Sequence, residues 1–267
     1  MPRLKLVTDE TVWRAIGELG RRTSGGPHAA EEVADQIQQL IISEEIAEGT
    51  RLPSERDLAQ ILGTSRPTVS QAIRILVTRG LVESRRGSGA YVTPRPEMSM
   101  AASVNLMLKL NGESVPQFNE LRLSLETTGV LLAIERRSDD DIAEGEAALR
   151  ELSLSVGNTA AWLSADTHFH ATLIRASRNP FLASIYESVH ATLLNYEYRA
   201  WISTGALPGW LQKSEAGPLT ALHAAILDGV RAGNPDAAKR AIQRHHEVMA
   251  DHLRRARKTG PGTRQAG

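Results

Sequence analysis

From Ala29 to Glu45 the apolar residues Val33, Ile37, Leu40 and Ile41 recur at the spacings of one helix face. Gly49 closes that segment. Pro53-Ser54-Glu55 opens a second helix with Leu58, Ile61 and Leu62 on its buried side, and Gly63-Thr64 breaks it. A third helix begins within SRPTVSQAIRIL (65–76) and is buried through Val69, Ile73 and Leu76. After Arg79-Gly80 the pattern changes: LVES and AYVT read as two short strands joined by RRGSG. Prolines 94, 96 and 116 bracket a small apolar piece, VNLMLKL. Beyond it the apolar positions keep a helical period as far as residue 258. Breaks at Ser138, Gly157-Asn158, Asn179-Pro180, 205–217 and Gly233-Asn234-Pro235 leave six helices.

This order predicts a mainly α fold. An N-terminal winged helix-turn-helix with a small β-hairpin wing joins an all-α six-helix bundle. The expected divisions are an extension at 1–27, the winged helix-turn-helix domain at 28–95, a linker at 96–115, the helical domain at 116–258 and a disordered tail at 259–267. Within the extension, Leu4 to Arg21 suits a short amphipathic helix before the break TSGGP.

The 267 residues suffice for two such domains, and 41% hydrophobic content provides for their cores. The absence of cysteine excludes disulfides and thiolate metal sites and makes a reducing cytoplasm the natural setting. The N-terminus lacks the apolar run of a signal peptide, and no segment approaches the roughly 20 apolar residues of a membrane span. Net charge is zero, so only its distribution is informative. Between Arg51 and Arg95, eight arginines (51, 56, 66, 74, 79, 85, 86, 95) face three acids (Glu55, Asp57, Glu83). The neutral chain therefore carries a basic patch on its helix-turn-helix.

The second helix of that motif presents its first residues to base edges in the major groove. Arg66 can fork onto guanine O6 and N7, while Thr68 and Ser70 can reach phosphates, or a thymine methyl for Thr68. Thr64 or Ser65 can cap the helix, and Pro67 sits where a missing N–H costs nothing. Arg85 and Arg86, followed by Gly87 and Gly89, suit a wing lying along a minor groove or backbone. The bland alternative is a structural helix-turn-helix with solvated arginines.

In ADTHFHATL, Asp166 and His170 are four apart on one helical face. His223 and His245 flank Gly233-Asn234-Pro235, and two antiparallel helices hinged there would set them at one height. Together these four make a three-histidine, one-carboxylate divalent site suited to zinc first, or to nickel, manganese or iron. Each histidine could instead be a satisfied core residue. His168, His246 and His252 read as surface or outer-shell residues, and His190 stays open.

The run LPSERDLAQILGTSRPTVSQAIRILVTRGLVESRRGSGAYV resembles the winged helix-turn-helix of GntR-family bacterial transcription regulators over residues 29–95. The resemblance implies DNA contacts from Arg56, from Ser65, Arg66 and Thr68, and from Arg86 and Gly87 of the wing. The family commonly has arginine where this chain has Ser70, so a family-typical operator does not follow. The helical region, through D-x-x-F-H in DTHFHATL, ASRNPFL and the histidine pair around AAILDGVRAGNPDAA, resembles the FCD domain of the FadR subfamily. That resemblance implies Asp166, His170, His223 and His245 as metal ligands and Arg122, in ELRLSLE, as the partner of an effector carboxylate. Asn179, Tyr196 and Arg199 are further effector candidates, each of which could equally be a cap or a solvated face.

The expected protein is a homodimeric regulator, a repressor by the simplest reading. It binds a palindromic double-stranded operator and is controlled by a small carboxylate beside the metal. The alternatives are a regulator whose metal is purely structural or itself sensed, and a metal-dependent hydrolase, for which no HExxH-like unit is present.

Overall fold

The computed structural model describes residues 28–43 and 45–259, which divide after Ser99 into two compact units. The extension read at 1–27 and nearly all of the expected tail lie outside the described residues.

The first unit opens with α1 (Ala29–Ile42), α2 (Glu55–Leu62) and α3 (Arg66–Thr78), followed by β1 (Val82–Arg85) and β2 (Gly89–Val92). The predicted apolar faces meet in one core, where Val33, Ile37, Leu58, Leu62, Val69 and Leu76 are fully buried. Burial of each such side chain stabilises the unit by about 1.5–3 kcal/mol relative to exposure. The turn between α2 and α3 is set by two local devices. Gly63 takes the left-handed conformation that ends α2, at φ 62°. Ser65 then caps α3, its Oγ accepting from the Thr68 N–H at 3.2 Å. The strands pair antiparallel from Val82–Val92 to Arg85–Gly89, leaving Arg86, Gly87 and Ser88 as the turn. Gly87 sits at φ 75°, so the wing tip needs glycine there.

Residues 96–115, read as a linker, are mostly helix α4 (Pro96–Leu110), which begins in the last residues of the first unit and lies mainly in the second. Val104 and Leu108 of α4 are buried against Val189 and Leu193. Six further helices follow: α5 (Val115–Arg136), α6 (Asp139–Ser155), α7 (Thr159–Arg175), α8 (Pro180–Thr204), α9 (Ala216–Arg231) and α10 (Pro235–Thr259). Their starts follow local chemistry. Ser138 and Asp141 form a reciprocal capping box on α6, and Asn158 and Asn179 cap α7 and α8 through their side-chain oxygens. Among the described residues, no helix is long and apolar enough to cross a membrane.

The α9–α10 hairpin determines the site. Gly233 turns the chain at φ 62°, and the Asn234 Oδ1 accepts from the Ala237 N–H at 3.0 Å. Gly229 lies at a close approach of the two helices: a Cβ there would stand 2.8 Å from the Ala238 backbone. Gly229→Ala is therefore expected to force the helices apart, at a cost of about 1–3 kcal/mol, read as a lowered melting temperature. It should also shift His223 and His245 relative to each other, because the same hairpin carries both. An unchanged melting temperature would contradict this packing account.

Candidate DNA interface and metal centre

The first turn of α3 and the wing tip carry most of the residues proposed to meet DNA. Arg56, Ser65, Arg66, Arg86 and Gly87 are exposed, and Thr68 and Ser70 are half-buried. Ser65 is partly committed to the helix. Besides capping, its Oγ lies 2.8 Å from the Thr68 hydroxyl. Arg66 forms an exposed ion pair with Glu55, Nε to Oε2 at 3.3 Å, a contact that water screens and that a stronger anion can displace. Arg85 is held by Glu83 at 3.1 Å and lies over the Tyr91 ring at 4.5 Å, leaving Arg86 to lead the turn. The basic residues thus cluster on the outer surface of the helix-turn-helix and wing, while its core is apolar.

In the helical unit the four proposed ligands come together. Ligand atoms of Asp166, His170, His223 and His245 all lie within 4.8 Å of one another, and all four residues are buried. Asp166 and His170 are one turn apart on α7. His223 on α9 and His245 on α10 meet with ring centroids 4.5 Å apart, and the His170 ring is 4.8 Å from that of His245.

The donor set fits a cation. The His223 Nδ1 lies 2.8 Å from the Leu219 carbonyl, so it donates its proton there and turns the Nε2 lone pair toward Asp166 Oδ1, 2.9 Å away. Two acceptors at that distance require a positive centre between them, a proton or a metal. Both ring nitrogens of His245 are buried without a hydrogen-bond partner, as are those of His170. Buried polar atoms are rarely left so, and a metal would take one nitrogen of each ring.

Residues not assigned from sequence complete the surroundings. His190 Nε2 donates to Asp166 Oδ2 at 2.9 Å, and its Nδ1 lies 2.8 Å from the Tyr186 hydroxyl. His190 thereby occupies one carboxylate oxygen and leaves Oδ1 for the cluster. Burial pulls the His190 pKa down to about 4, against the pull of Asp166, so it serves as a neutral donor. Burial raises Asp166, but the hydrogen bond from His190 and the neighbouring His223 and His170 outweigh it and hold the carboxyl well below its usual range. His245 is held well below the ordinary histidine value by burial and by the neighbouring His223 and His170, so it offers a lone pair. Glu126, on α5, is 1% exposed and lies against both His170 and His246.

The centre borders a cavity of about 680 Å³ whose walls include Asp166, His245, His246, Arg122, Trp162 and Tyr198. Arg122 is buried and its Nε has no partner, as is true of the Trp162 indole nitrogen. The remaining effector candidates lie elsewhere. Asn179 caps α8, accepting from the Leu182 N–H at 3.1 Å. Tyr196 and Arg199 stack on each other at 4.3 Å beside α4, in a separate groove with Asn105 and Lys109. His168 is exposed, and His252 stacks on Trp210 at 5.1 Å.

Comparison with known proteins matches residues 29–92 to the gntR family of bacterial regulatory proteins and residues 117–248 to the FCD domain. The chain is 31% identical over 235 residues to the HTH-type transcriptional repressor NanR of Cronobacter sakazakii, spanning 86% of this chain and 88% of that one. The chain belongs to the GntR family. NanR of Escherichia coli K12 is 31% identical over 236 residues, covering 85% and 86% of the two chains. Among solved structures, the GntR protein of Streptococcus agalactiae superposes with a TM-score of 0.61 at 26% identity, over 83% of this chain and 99% of that one. Members of the GntR family are transcription regulators that bind DNA operators. This GntR-family protein is accordingly a regulator and not an enzyme, which removes the hydrolase alternative.

Proposed function

We propose that this GntR-family regulator is a repressor that binds a palindromic operator as a homodimer and responds to a small carboxylate held beside a divalent metal, zinc in the first instance. The observation that carries the reading is the buried Asp166, His170, His223 and His245 cluster, which reaches through Asp166 and His245 to the wall of a cavity where the Arg122 Nε has no partner. Zinc, when bound, supplies a positive centre that attracts oxygen anions. Arg122 offers the planar, charged fork that recognises a carboxylate. His190 and Tyr186 hold Asp166 in place from behind. A carboxylate can relieve repression only by favouring one arrangement of the protein over another. The homodimer is supported by operator logic, since a single recognition helix reads few base pairs. It is also supported by exposed apolar side chains on the helical unit: Phe181 is 80% exposed and Leu121 43%. The repressor sign is supported by the relatives' description.

The depth of the cluster favours a second reading, in which the metal is purely structural. A thermal-shift screen of the zinc-loaded protein against sugar acids, hydroxy acids, dicarboxylates and aromatic acids separates the two. Effector binding predicts at least one acid that raises the melting temperature of the parent and fails to do so in Arg122→Ala. Strong stabilisation by zinc with no response to any acid would favour the structural metal.

A further inference from the structure

Glu126 is a fully buried carboxylate that no pattern in the sequence singles out, and its two oxygens face different histidines. Oε1 lies 2.6 Å from Nδ1 of the proposed ligand His170. That contact is off the ideal hydrogen-bond direction, and neither atom has another hydrogen-bond partner. Oε2 accepts from His246 Nε2 at 2.7 Å and lies 3.4 Å from the Tyr186 hydroxyl. On the far side of His246, Nδ1 lies 3.3 Å from Arg122 NH2.

One proton arrangement is consistent with all of these contacts. Arg122 donates to His246 Nδ1, and His246 Nε2–H donates to Glu126. The second oxygen of Glu126 draws the proton of His170 onto Nδ1, which leaves the His170 Nε2 lone pair for the cluster with Asp166. A carboxylate behind a ligating histidine fixes its tautomer and ring orientation and raises its basicity.

We propose that Glu126 is the positioning residue of the metal centre and, through His246, links it to the anion-binding Arg122. Metal held by His170 and anion held by Arg122 then strengthen each other, because each favours the same arrangement of the shared carboxylate. The proposal rests on the metal reading above and deepens it by naming how metal and effector communicate.

The test uses the full-length, metal-free protein titrated with cobalt(II), followed by its visible ligand-field absorption, with and without acetate. In the parent, cobalt binds and acetate tightens it. Glu126→Gln, which keeps the shape and removes the charge, is expected to weaken cobalt by roughly 10- to 100-fold and to abolish the acetate effect. His246→Phe keeps all four ligands and Glu126. It is expected to hold cobalt nearly as the parent does while losing the acetate effect, and it keeps the linkage testable if Glu126→Gln does not fold. Parent-like cobalt affinity in Glu126→Gln would overturn the positioning role, even if its melting temperature in EDTA fell, because that would show only a structural part. An acetate effect retained in His246→Phe, or absent from the parent, would overturn the linkage. Failure of the parent to bind cobalt at all would remove the metal reading and this proposal with it, a result distinct from the others.

Discussion

Asp166→Ala is expected to abolish the rise in melting temperature that zinc produces in the parent and to lower the melting temperature even in EDTA. The two losses have separate causes. Asp166 presents Oδ1 to the cluster, so its removal leaves three histidines and no anionic ligand. A ligand present at a thousand times its Kd stabilises the native state by about 4 kcal/mol, and that contribution vanishes when binding does. The loss in EDTA arises because Asp166 Oδ2 accepts from His190 at 2.9 Å. Without it a buried N–H loses its only acceptor, at a cost of about 1–3 kcal/mol. Asp166→Asn divides the effects, since the amide oxygen can still accept from His190 while the ligand charge is gone. It should recover part of the EDTA stability and little of the zinc response. Scanning calorimetry with and without zinc measures both, and a full zinc response in Asp166→Ala would exclude this carboxylate as a ligand.

The second large effect is expected at DNA. Arg66→Ala should weaken operator binding while leaving the fold intact. A bidentate arginine–guanine contact is worth about 1–3 kcal/mol, and a dimer on a palindrome loses it twice, so the affinity falls by about 2–6 kcal/mol in total. Stability should hardly change. Arg66 is mostly exposed and its ion pair with Glu55 is solvated, and such pairs contribute only about 0–1 kcal/mol. Duplexes selected from a random pool by the parent provide the operator. Fluorescence anisotropy over a range of salt then gives affinity and salt slope together. Unchanged affinity and slope in the variant would show that α3 is not the reading element.

The fold was largely legible because its signals are local. The left-handed Gly63, the Ser65 cap and the glycine-bearing wing turn are written within a few residues of the elements they shape. Asp166 and His170 were visible because one helical turn puts them on one face. His223 and His245 were visible because the Gly233-Asn234-Pro235 break implies a hairpin. Glu126 and His190 were not legible as parts of the site. Neither lies on α7 or on the hairpin that carries His223 and His245, so no turn spacing or chain break points to them, and a lone glutamate on a helix ordinarily faces solvent. Only the packing of α5 and α8 against α7 brings their polar ends into the interior. VNLMLKL illustrates a different limit. Its prolines suggest a connection, yet Val104 and Leu108 are four apart and bury one stripe of α4 against α8. The separate placement of Tyr196 and Arg199 has a similar origin: on α8 they face α4, while the neighbouring Tyr198 lines the cavity.

The most direct measurement is isothermal titration of zinc into the metal-free full-length protein, alongside His245→Ala. His245 has no hydrogen-bond partner at either ring nitrogen, so its loss removes a proposed ligand and little else that the protein itself supplies. The account predicts one zinc per chain in the parent and loss of that binding in the variant. No zinc binding by the parent, or equal binding by both proteins, would contradict a metal held by Asp166, His170, His223 and His245.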